Sequence, residues 1–393
     1  MSTGQIIVCG TGIVGLAAAL GLARDGQKAA LLGPRKPPEP ARPDIYFPRV
    51  YALSPESRRF LGELGVWGML DMARVTPVES MQVYGDASGR VTLRAWQAVQ
   101  SEMAWIIESS ELERVLHQAV QVFGISWHED RFAALQSRAV RTESGRVLPA
   151  ALVIGADGAQ SPVRQAAGIA HQSRPYHQTG LVTHLTAELP HGNAAMQWFT
   201  SDGVVALLPM PDTPDGHQVS LVWSMAEEQA KALQSLPQAE RDARLQAGLL
   251  AVTGGALGRL TVRSGVHGFP LFLERSDMVA PGVALAGDAA HRVHPLAGQG
   301  LNLGLGDVAQ LLGTLRGRPR GCEPGQLNLL RRYRRARAEP VLAMGLVTDG
   351  LYRLFASQSA PVVMARNAGM QLVDRIPFIK RRLISGASGQ KPW

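Results

Sequence analysis

The stretch that decides the fold is Ile6-Ile7-Val8-Cys9-Gly10-Thr11-Gly12-Ile13-Val14-Gly15, near the start of the chain. Its apolar first part predicts a buried strand, and the alanine- and leucine-rich run from Leu16 to Arg24 predicts a helix after the glycines. A second strand is expected from Lys28 to Leu32. A G-x-G-x-x-G turn between a strand and a helix is typical of a dinucleotide-binding βαβ unit. The chain is therefore predicted to begin with a Rossmann-like α/β domain.

The residues of this turn have separate tasks. Gly10 permits the sharp turn, Gly12 lets a pyrophosphate approach the backbone, and Gly15 lets the helix pack close to the strand. Ile13 and Val14 begin the helix, whose N-terminus offers free N–H groups and the positive end of its dipole to phosphates. We therefore expect these residues to bind a dinucleotide; the alternative is a glycine-rich turn without a ligand.

The acid that usually follows the second strand of this unit is absent. It binds the ribose hydroxyls in such domains, but here Leu31-Leu32 is followed by Gly33-Pro34-Arg35-Lys36. Gly33 stands where the acid belongs. The alternatives are that backbone groups or Arg35 take over this contact, or that the contacts to the adenosine ribose are weaker.

A second block lies near residue 290. Gly287-Asp288-Ala289-Ala290-His291, Pro295 and Gly298-Gln299-Gly300-Leu301-Asn302 stand between an apolar stretch, Val283 to Ala286, and a helix predicted from Leu301 to Leu315. A strand that leads into an aspartate and a glycine-rich loop suits one end of a large cofactor, and it favours a flavin over a nicotinamide alone. The backbone N–H groups of Gly300, Leu301 and Asn302 are placed to stabilise the negative charge of a reduced flavin.

A third block, from Gly155 through Asp157-Gly158 to Arg164, follows an apolar stretch from Val147 to Ile154 that predicts a strand. An aspartate directly after a strand often caps the following turn. Three blocks thus stand in order along the chain: the Gly10–Gly15 turn, the Asp157-Gly158 block and the Gly287-Asp288 block.

The predicted elements divide the chain into three parts. The expected residues are 1–74, 104–175 and 270–340 for the discontinuous cofactor-binding domain, 75–103 and 176–269 for a mixed β-sheet substrate domain, and 341–393 for a C-terminal helical region. Helical structure is predicted from Glu227 to Thr253, and Pro340, Pro361 and Pro377 are expected to break the C-terminal helices.

The composition is that of a globular protein, with 46% hydrophobic and 18% charged residues among 393. Cys9 and Cys322 make no disulfide framework, which favours a reducing, cytoplasmic compartment. We expect no cleavable signal peptide, and no apolar run reaches the roughly 18 residues of a spanning helix. The sequence has no metal-ligand spacing and no nucleic-acid-binding signature, so neither a metal nor a nucleic acid is predicted.

Further stretches resemble one family. Arg49-Val50-Tyr51-Ala52-Leu53, Leu64-Gly65-Val66-Trp67 and the run from His294 to Gly304 are similar to the ubiquinone-biosynthesis hydroxylases. These belong to the class A flavoprotein aromatic hydroxylases, whose fold is like that of para-hydroxybenzoate hydroxylase. The resemblance covers nearly the whole chain.

The resemblance implies an α/β fold with a Rossmann-like FAD-binding domain, an inserted mixed β-sheet substrate domain and a C-terminal helical segment. It implies a monooxygenase that inserts one oxygen atom from O2 into a polyprenylated phenol via a C4a-hydroperoxyflavin. NAD(P)H or a ferredoxin system is the implied electron donor. The implied FAD contacts are Gly10, Gly12, Ile13, Val14, Gly15, Arg49, Asp157, Asp288, Gly298, Gln299, Gly300, Leu301 and Asn302.

Each of these contacts has an expected place. Arg49 would lie near the flavin or its phosphates, Asp157 where FAD meets the nicotinamide donor, and Asp288 at the ribityl or ribose hydroxyls. Pro295 would lie against the flavin ring. His291 is the polar candidate for tuning the flavin or deprotonating a phenol, with a structural role as its alternative. Pro295 and His291 are therefore the predicted catalytic residues.

The formal net charge of +8 includes late basic clusters, Arg331-Arg332-Tyr333-Arg334-Arg335-Ala336-Arg337 and Lys380-Arg381-Arg382. This balance favours an anionic ligand or a membrane surface, and the alternative is a solvated helix face. The segment from Arg375 to Leu383 mixes apolar and cationic residues, which suits contact with the inner membrane, a lipid carrier or a biosynthetic complex. A homo-oligomer is also compatible with the sequence.

Two other functions stay open. One is an FAD-dependent hydroxylase or epoxidase acting on a soluble aromatic or polyketide substrate. The other is an inactive FAD-binding subunit that scaffolds a biosynthetic complex, which the missing acid at Gly33 makes worth considering.

Overall fold

The computed structural model describes residues 4–36, 45–85, 89–201, 203–294, 298–357 and 359–387. The strands, in chain order, are β1 (Ile6–Cys9), β2 (Ala29–Leu32), β3 (Val50–Leu53), β4 (Val75–Val78), β5 (Ser80–Tyr84), β6 (Arg90–Arg94), β7 (Ala104–Glu108), β8 (Ser126–His128), β9 (Phe132–Gln136), β10 (Ala139–Thr142), β11 (Val147–Pro149), β12 (Leu152–Gly155), β13 (His171–Ala187), β14 (Ala194–Thr200), β15 (Gly203–Thr213), β16 (Gly216–Ala226), β17 (Leu260–Val262), β18 (His267–Ser276), β19 (Val279–Ala280), β20 (Val283–Leu285) and β21 (His291–Arg292). The helices are α1 (Ile13–Arg24), α2 (Pro55–Glu63), α3 (Ser109–Val122), α4 (Pro162–Ala166), α5 (Glu227–Gln234), α6 (Gln238–Thr253), α7 (Gly300–Arg316), α8 (Leu327–Ala356), α9 (Ala360–Arg375) and α10 (Pro377–Ala387).

The first sheet has six strands in the order β19-β20-β12-β1-β2-β8, and all neighbours except β19 and β20 pair in parallel. Ile6 of β1 lies opposite Leu152 of β12 and Ala29 of β2. All four residues of β1 are buried, as expected of a parallel strand between layers of helices. Helix α1 packs against α3 and α7. The predicted α/β fold and its opening βαβ unit are therefore confirmed.

The second sheet has nine strands in the order β21-β18-β13-β16-β15-β14-β5-β6, with β17 pairing on β13. It is antiparallel except for the pair of β14 and β5. One face is covered by α5 and α6, and Leu221 and Leu249 are fully buried between them. A bulge in β13 between Pro175 and Thr179 places His177 at a φ of 55° and shifts the register with β18.

A small sheet, β3-β7-β4, connects the two large sheets. Strand β3 packs against α7 of the parallel-sheet region, and β4 packs against β15 of the nine-stranded sheet. The C-terminal helices return to the nine-stranded sheet, because Asn367 and Asp374 of α9 accept hydrogen bonds from the backbone N–H groups of Gly89 and Thr92 at 3.0 and 2.9 Å. The domain boundaries drawn from the sequence stay a prediction.

The predicted helical stretch from Glu227 to Thr253 is confirmed; it consists of the two helices α5 and α6, and Pro237 stands directly before the start of α6. One predicted helix break is wrong. Pro340 does not break the C-terminal region but lies inside α8. Pro340 and Ala336 are exposed, so the carbonyl of Ala336, which loses its helical partner to the proline, is open to water. Among the described residues, no helix combines the length and apolarity needed to cross a membrane.

Candidate active site

A cavity of about 590 Å³ lies between the parallel sheet and the nine-stranded sheet. Three adjacent parallel strands, β20, β12 and β1, end at it, which is where open α/β sheets bind their ligands. The three blocks singled out in the sequence follow these strands, so the structure brings them together. Their residues that line the cavity are Gly12, Ile13, Val14, Ala156, Gly158, Ala286, Asp288, Gly298, Gln299, Gly300 and Leu301.

The glycines of the first block differ in what surrounds them. A Cβ atom on Gly10, whose φ is 110°, would lie 2.1 Å from the carbonyl oxygen of Ala156, and one on Gly15 would lie 2.0 Å from that of Gly10. These two glycines are required by the packing of the protein itself. A Cβ on Gly12 would meet nothing within 4 Å. The open space beside Gly12 belongs to the cavity, so this turn fits a pyrophosphate.

Two helices begin at this cavity without a side-chain cap. Helix α1 starts after Gly12 and α7 starts after Gln299, and no described side chain accepts a hydrogen bond from either first turn. Neither first turn carries an acidic residue. Helix N-termini normally have such partners because their first N–H groups lack one within the helix. The cavity therefore presents two sets of free N–H donors and two positive dipole ends to an anionic ligand.

Charged residues line the same part of the cavity. The guanidinium of Arg49 lies 5.1 Å from the ring centroid of Tyr51. Burial raises the pKa of Tyr51 to about 12, with Asp288 and Glu113 adding to the rise and Arg49 opposing it. Asp288 is exposed to the cavity. The structure thus places Arg49 and Asp288 in the wall of the cavity, and their contacts with FAD stay a prediction.

Glu113 of α3 is a cavity residue that the sequence reasoning missed. It is half-buried and accepts no hydrogen bond from a described residue. Burial raises the pKa of this carboxyl, and the nearby positive charges of Arg49 and Lys36 lower it. No motif marks Glu113, and only the packing of α3 on α1 brings it to the cavity.

The structure also shows the surroundings of Gly33, which stands where a ribose-binding acid is usual. The N–H of Gly33 donates to the carbonyl of His128 at 3.2 Å, and its carbonyl accepts from the indole of Trp127 at 3.0 Å. The guanidinium of Arg35 lies 5.4 Å from the ring of Trp127 and 4.0 Å from Glu129. The backbone of Gly33 is therefore already engaged within the protein.

Asp157 does not line the cavity, although its neighbours Ala156 and Gly158 do. Its Oδ2 accepts from the N–H of Val163 at 3.1 Å, so it caps the start of α4. Burial raises the pKa of Asp157, against hydrogen bonds that lower it. Arg164 is buried and donates to the carbonyl of Ala289 at 2.9 Å, which joins this block to the block after β20. The geometry favours the capping interpretation for Asp157.

Asn302 acts through its side chain on the protein rather than on the cavity. Its Oδ1 accepts from the N–H of Ser54 at 3.0 Å and from the hydroxyl of Ser57 at 2.7 Å. Its Nδ2 donates to the carbonyl of Ala52 at 2.9 Å. These bonds fasten the first turn of α7 to the turn between β3 and α2. Pro295, the predicted neighbour of the flavin ring, lies outside the described residues.

His291 belongs to a buried network behind the cavity. Its Nε2 lies 2.8 Å from Oδ2 of Asp307, which also accepts from the N–H of Gly287 at 2.9 Å. The other oxygen of Asp307 accepts from Nε of Arg337 at 2.6 Å. Burial raises the pKa of Asp307, but His291, Arg337 and Gly287 together bring it below its ordinary value. His291 is absent from the described lining of the large cavity, which favours its structural interpretation.

His294 is buried nearby in an aromatic cluster. Its ring stacks on Tyr352 at 5.4 Å and meets Tyr176 edge-on at 4.8 Å, and its Nε2 lies 3.1 Å from Oε1 of Gln178. Burial lowers the pKa of His294 to about 4. A histidine with this pKa is neutral at physiological pH and a weak base.

The half of the cavity that faces the nine-stranded sheet is apolar. Its wall comes from the nine-stranded sheet, from β4 and β7 of the small sheet, and from Met103 before β7. The apolar lining residues are Val78, Met81, Met103, Ala104, Ile106, Val182, Ala195, Met196, Ala206, Leu208, Val222, Phe269, Leu271 and Phe272. Arg292 stands at the seam between the two halves, 2.5 Å from Glu274 and 4.8 Å from the ring of Phe272. One continuous space thus joins a polar, anion-binding end to an apolar chamber.

The fold and this cavity are those of a dinucleotide-binding flavoprotein, and comparisons with known proteins agree. The profile of the FAD binding domain family matches residues 3–344. The chain is 32% identical to the 3-demethoxyubiquinol 3-hydroxylase of Escherichia coli (strain K12) in an alignment that covers 98% of each protein. It is 32% identical to the ubiquinone hydroxylase UbiL of Rhodospirillum rubrum in an alignment that covers 98% of this chain and 89% of that protein.

Among solved structures, p-nitrophenol 4-monooxygenase PnpA from Pseudomonas putida DLL-E4 superposes with a TM-score of 0.77 over 98% of each chain. Its sequence identity is 16%, so this likeness concerns the fold alone. The chain belongs to the FAD-binding family of ubiquinone-biosynthesis hydroxylases and is an FAD-dependent monooxygenase.

Replacing Asp307 by asparagine tests the buried network. The substitution leaves Arg337 and His291 without their anion, and breaking a buried pair costs about 3–5 kcal/mol of the free energy of unfolding. Because the folded-state pKa of Asp307 is lowered, its contribution is present above the unfolded value of about 3.9 and is lost as the pH falls through the folded value. Urea unfolding at neutral and acidic pH should show the difference from wild type shrinking in acid.

Asp25→Asn is the matched control. Asp25 pairs with Arg316 at 2.8 Å on the surface, where an ion pair contributes about 1 kcal/mol or less. Equal losses of stability in the two variants would contradict the role given to Asp307.

Proposed function

We propose that this protein uses FAD and O2 to hydroxylate a prenylated phenol of ubiquinone biosynthesis. The observation that carries the proposal is the single cavity whose polar end fits a dinucleotide and whose other end is an apolar chamber. The full-length similarity to enzymes named as ubiquinone hydroxylases supports the same conclusion. NAD(P)H or a ferredoxin system would deliver the electrons.

The polar end would hold FAD through backbone groups. When bound, FAD supplies the two-electron redox chemistry and the activation of O2. The open side of Gly12 and the first turn of α1 would take the pyrophosphate. The uncapped first turn of α7, at Gly300 and Leu301, would face the ring and stabilise its negative charge in the reduced state. Asp288 would accept hydrogen bonds from the ribityl or ribose hydroxyls.

Glu113 would take the place of the missing ribose-binding acid. The backbone of Gly33 is engaged with His128 and Trp127, so it cannot supply that contact. Glu113 lines the same cavity as Gly12. The positive charge of Lys36, which follows β2 in the chain, is one of the two that lower the pKa of Glu113. A half-buried carboxylate without a hydrogen-bond donor is suited to accept bonds from two hydroxyls.

The apolar chamber would bind the ring and part of the prenyl tail. Burying an apolar tail is favourable in proportion to its area, about 25 cal/mol per Å². The chamber would also keep water from the reacting centre. Oxygen transfer to an electron-rich ring needs no strong protein base, which is consistent with a neutral, weakly basic His294 outside the described cavity lining.

The lining of the cavity also bears on the two alternative functions, a hydroxylase of a soluble substrate and an FAD-binding scaffold subunit. A soluble aromatic substrate would normally meet several polar side chains, whereas the chamber wall is almost wholly apolar. A subunit that only binds FAD and scaffolds a complex has no need of an apolar chamber continuous with the cofactor end. Both observations favour the hydroxylase of a prenylated phenol.

The C-terminal helices would bring the protein to a membrane surface. Leu346 of α8, Met364 of α9 and Phe378 of α10 are 64%, 73% and 69% exposed. On α10, Arg381 and Arg382 lie within one turn of Phe378 and are exposed. An apolar face bordered by cations suits the interface of an anionic bilayer. A greasy substrate would reach the chamber more readily from such a position.

Substitution of Glu113 tests its proposed binding to the adenosine ribose. Both Glu113→Gln and Glu113→Ala should raise the dissociation constant of FAD about ten-fold or more, because a hydrogen bond to a charged group is lost. Affinity for FMN, which has no adenosine ribose, should stay the same. Flavin fluorescence titration measures both. Glu129→Gln, which changes a neighbouring exposed acid, serves as the control; if it weakens FAD equally, or if FMN is weakened as much as FAD, Glu113 does not bind the ribose.

A turnover assay tests the proposed hydroxylation of a prenylated phenol. FAD-loaded protein supplied with NADPH, or with a ferredoxin system, should add one oxygen atom to a prenylated phenol, detected by mass spectrometry. Ala206 lines the chamber, so Ala206→Trp should lower kcat/KM for the prenylated phenol about ten-fold or more, with a smaller effect on its unprenylated analogue. Ala243→Trp on the exposed side of α6 is the control. Turnover of unprenylated phenols alone would establish the soluble-substrate alternative instead.

Vesicle binding tests the proposed contact of α10 with a membrane surface. The triple variant Phe378→Ser, Arg381→Gln, Arg382→Gln should bind vesicles containing phosphatidylglycerol at least about ten-fold more weakly, since each surface cation contributes about 1 kcal/mol. Vesicle co-sedimentation measures it. The control variant Val147→Ser, Arg141→Gln, Arg320→Gln makes the same changes of charge and polarity at other exposed positions. Equal binding by the two variants would argue against docking through α10.

A further inference from the structure

The basic segment from Arg331 to Arg337 at the start of α8 is only partly explained by the fold. Two of its side chains point inward. The hydroxyl of Tyr333 donates to the carbonyl of Leu285 at 2.7 Å, and Arg337 donates to Asp307 at 2.6 Å. These contacts fix α8 behind the block that follows β20. The remaining arginines of the segment have no such task.

Two of the outward arginines line a second cavity of about 290 Å³. Arg334 and Arg335 of α8 meet Arg275 of β18 there, and His291 lies at its buried side. Asp277 is the single acid in the described wall. In the described part of the chain, none of the three arginines forms an ion pair. The described lining of this cavity shares no residue with that of the large cavity.

The charges of this second cavity favour an anion. Three guanidinium groups and one carboxylate leave an excess of positive charge within a small volume, and like charges at short range repel. A bound anion would remove this repulsion. Guanidinium groups present paired N–H donors that match the oxygens of a phosphate. The chemistry therefore points to a phosphate group rather than to an apolar or cationic ligand.

We propose that this second cavity binds a phosphate-bearing anion. The site is distinct from the proposed FAD and substrate sites and does not depend on the identity of the phenol. It has a direct connection to the cofactor loop, because His291 in its wall bonds to Asp307, and Asp307 holds the N–H of Gly287. Such phosphates are carried by a dinucleotide electron donor and by the headgroups of anionic phospholipids.

The experiment compares two double variants with equal changes of charge. Arg334→Gln/Arg335→Gln removes two cations from the cavity, whereas Arg331→Gln/Arg332→Gln removes two exposed cations of the same helix that do not line it. Pyrophosphate is titrated into the FAD-loaded protein by calorimetry. We expect saturable binding that weakens at least about ten-fold in the first variant and about two-fold or less in the second. Arg275→Gln, on a different element, should weaken binding as well, and thermal unfolding verifies that each variant is folded.

Competition then separates the two sources of phosphate. Displacement of pyrophosphate by the adenosine 2′,5′-bisphosphate fragment of NADPH supports the dinucleotide, and displacement by phosphatidylglycerol vesicles supports the headgroup. Equal weakening in the two double variants, binding that does not saturate, or displacement by neither competitor would overturn the proposal, since the cavity then attracts adventitious ions only. Loss of FAD binding or of phenol turnover is measured separately and does not decide this question.

Discussion

The buried carboxylate of Asp307 is the constraint on which the cofactor end of this protein depends. It accepts from Gly287, His291 and Arg337, so one residue of α7 holds the loop after β20, strand β21 and helix α8 in a fixed relation. A carboxylate that is 0% exposed is tolerable only with such partners. Because Asp307 lies two turns along α7 from Gly300, the same bonds set the direction in which the helix N-terminus points.

The position of α7 in turn decides what the cavity can hold. Asn302 fastens its first turn to the start of α2, and Asp307 fastens its middle to the parallel sheet. With the first turn and the middle of α7 held, the free N–H groups at Gly300 and Leu301 need no reorganisation to meet a developing negative charge. Preorganised donors of this kind are more effective than donors that must first turn toward the ligand.

Much of the parallel-sheet region follows from short sequence patterns. The strand-turn-helix unit at Gly10 to Gly15 and the block around Asp288 were predictable because each is local and each demands glycine where the backbone must come close. Residues brought together by tertiary packing were not predictable. Glu113 reaches the cavity only because α3 packs on α1, and Asp307 meets Arg337 across 30 positions of sequence. Nothing in a local pattern distinguishes these two carboxylates from surface acids.

The same distinction between local pattern and tertiary packing applies to side chains within the motifs. Asp157 and His291 stand inside cofactor motifs, yet their side chains turn to α4 and to Asp307, while the backbone beside them lines or supports the cavity. A motif thus predicts the path of the backbone better than the direction in which each side chain points. For His294, tertiary packing decides the protonation state as well. Burial against the rings of Tyr176 and Tyr352 lowers its pKa and keeps it neutral.

The joining of a polar cradle to an apolar chamber has a consequence for specificity. Charge–dipole interactions strengthen as the surrounding dielectric falls, so the N-terminus of α7 acts most strongly when the chamber beside it is dry. A ligand with an apolar tail would fill the chamber and displace its water, whereas a small polar ring would leave water next to the donors. Discrimination by this route requires no side chain that recognises the tail. It requires only that the apolar wall and the helix terminus share one space, and the cavity between the two sheets meets that condition.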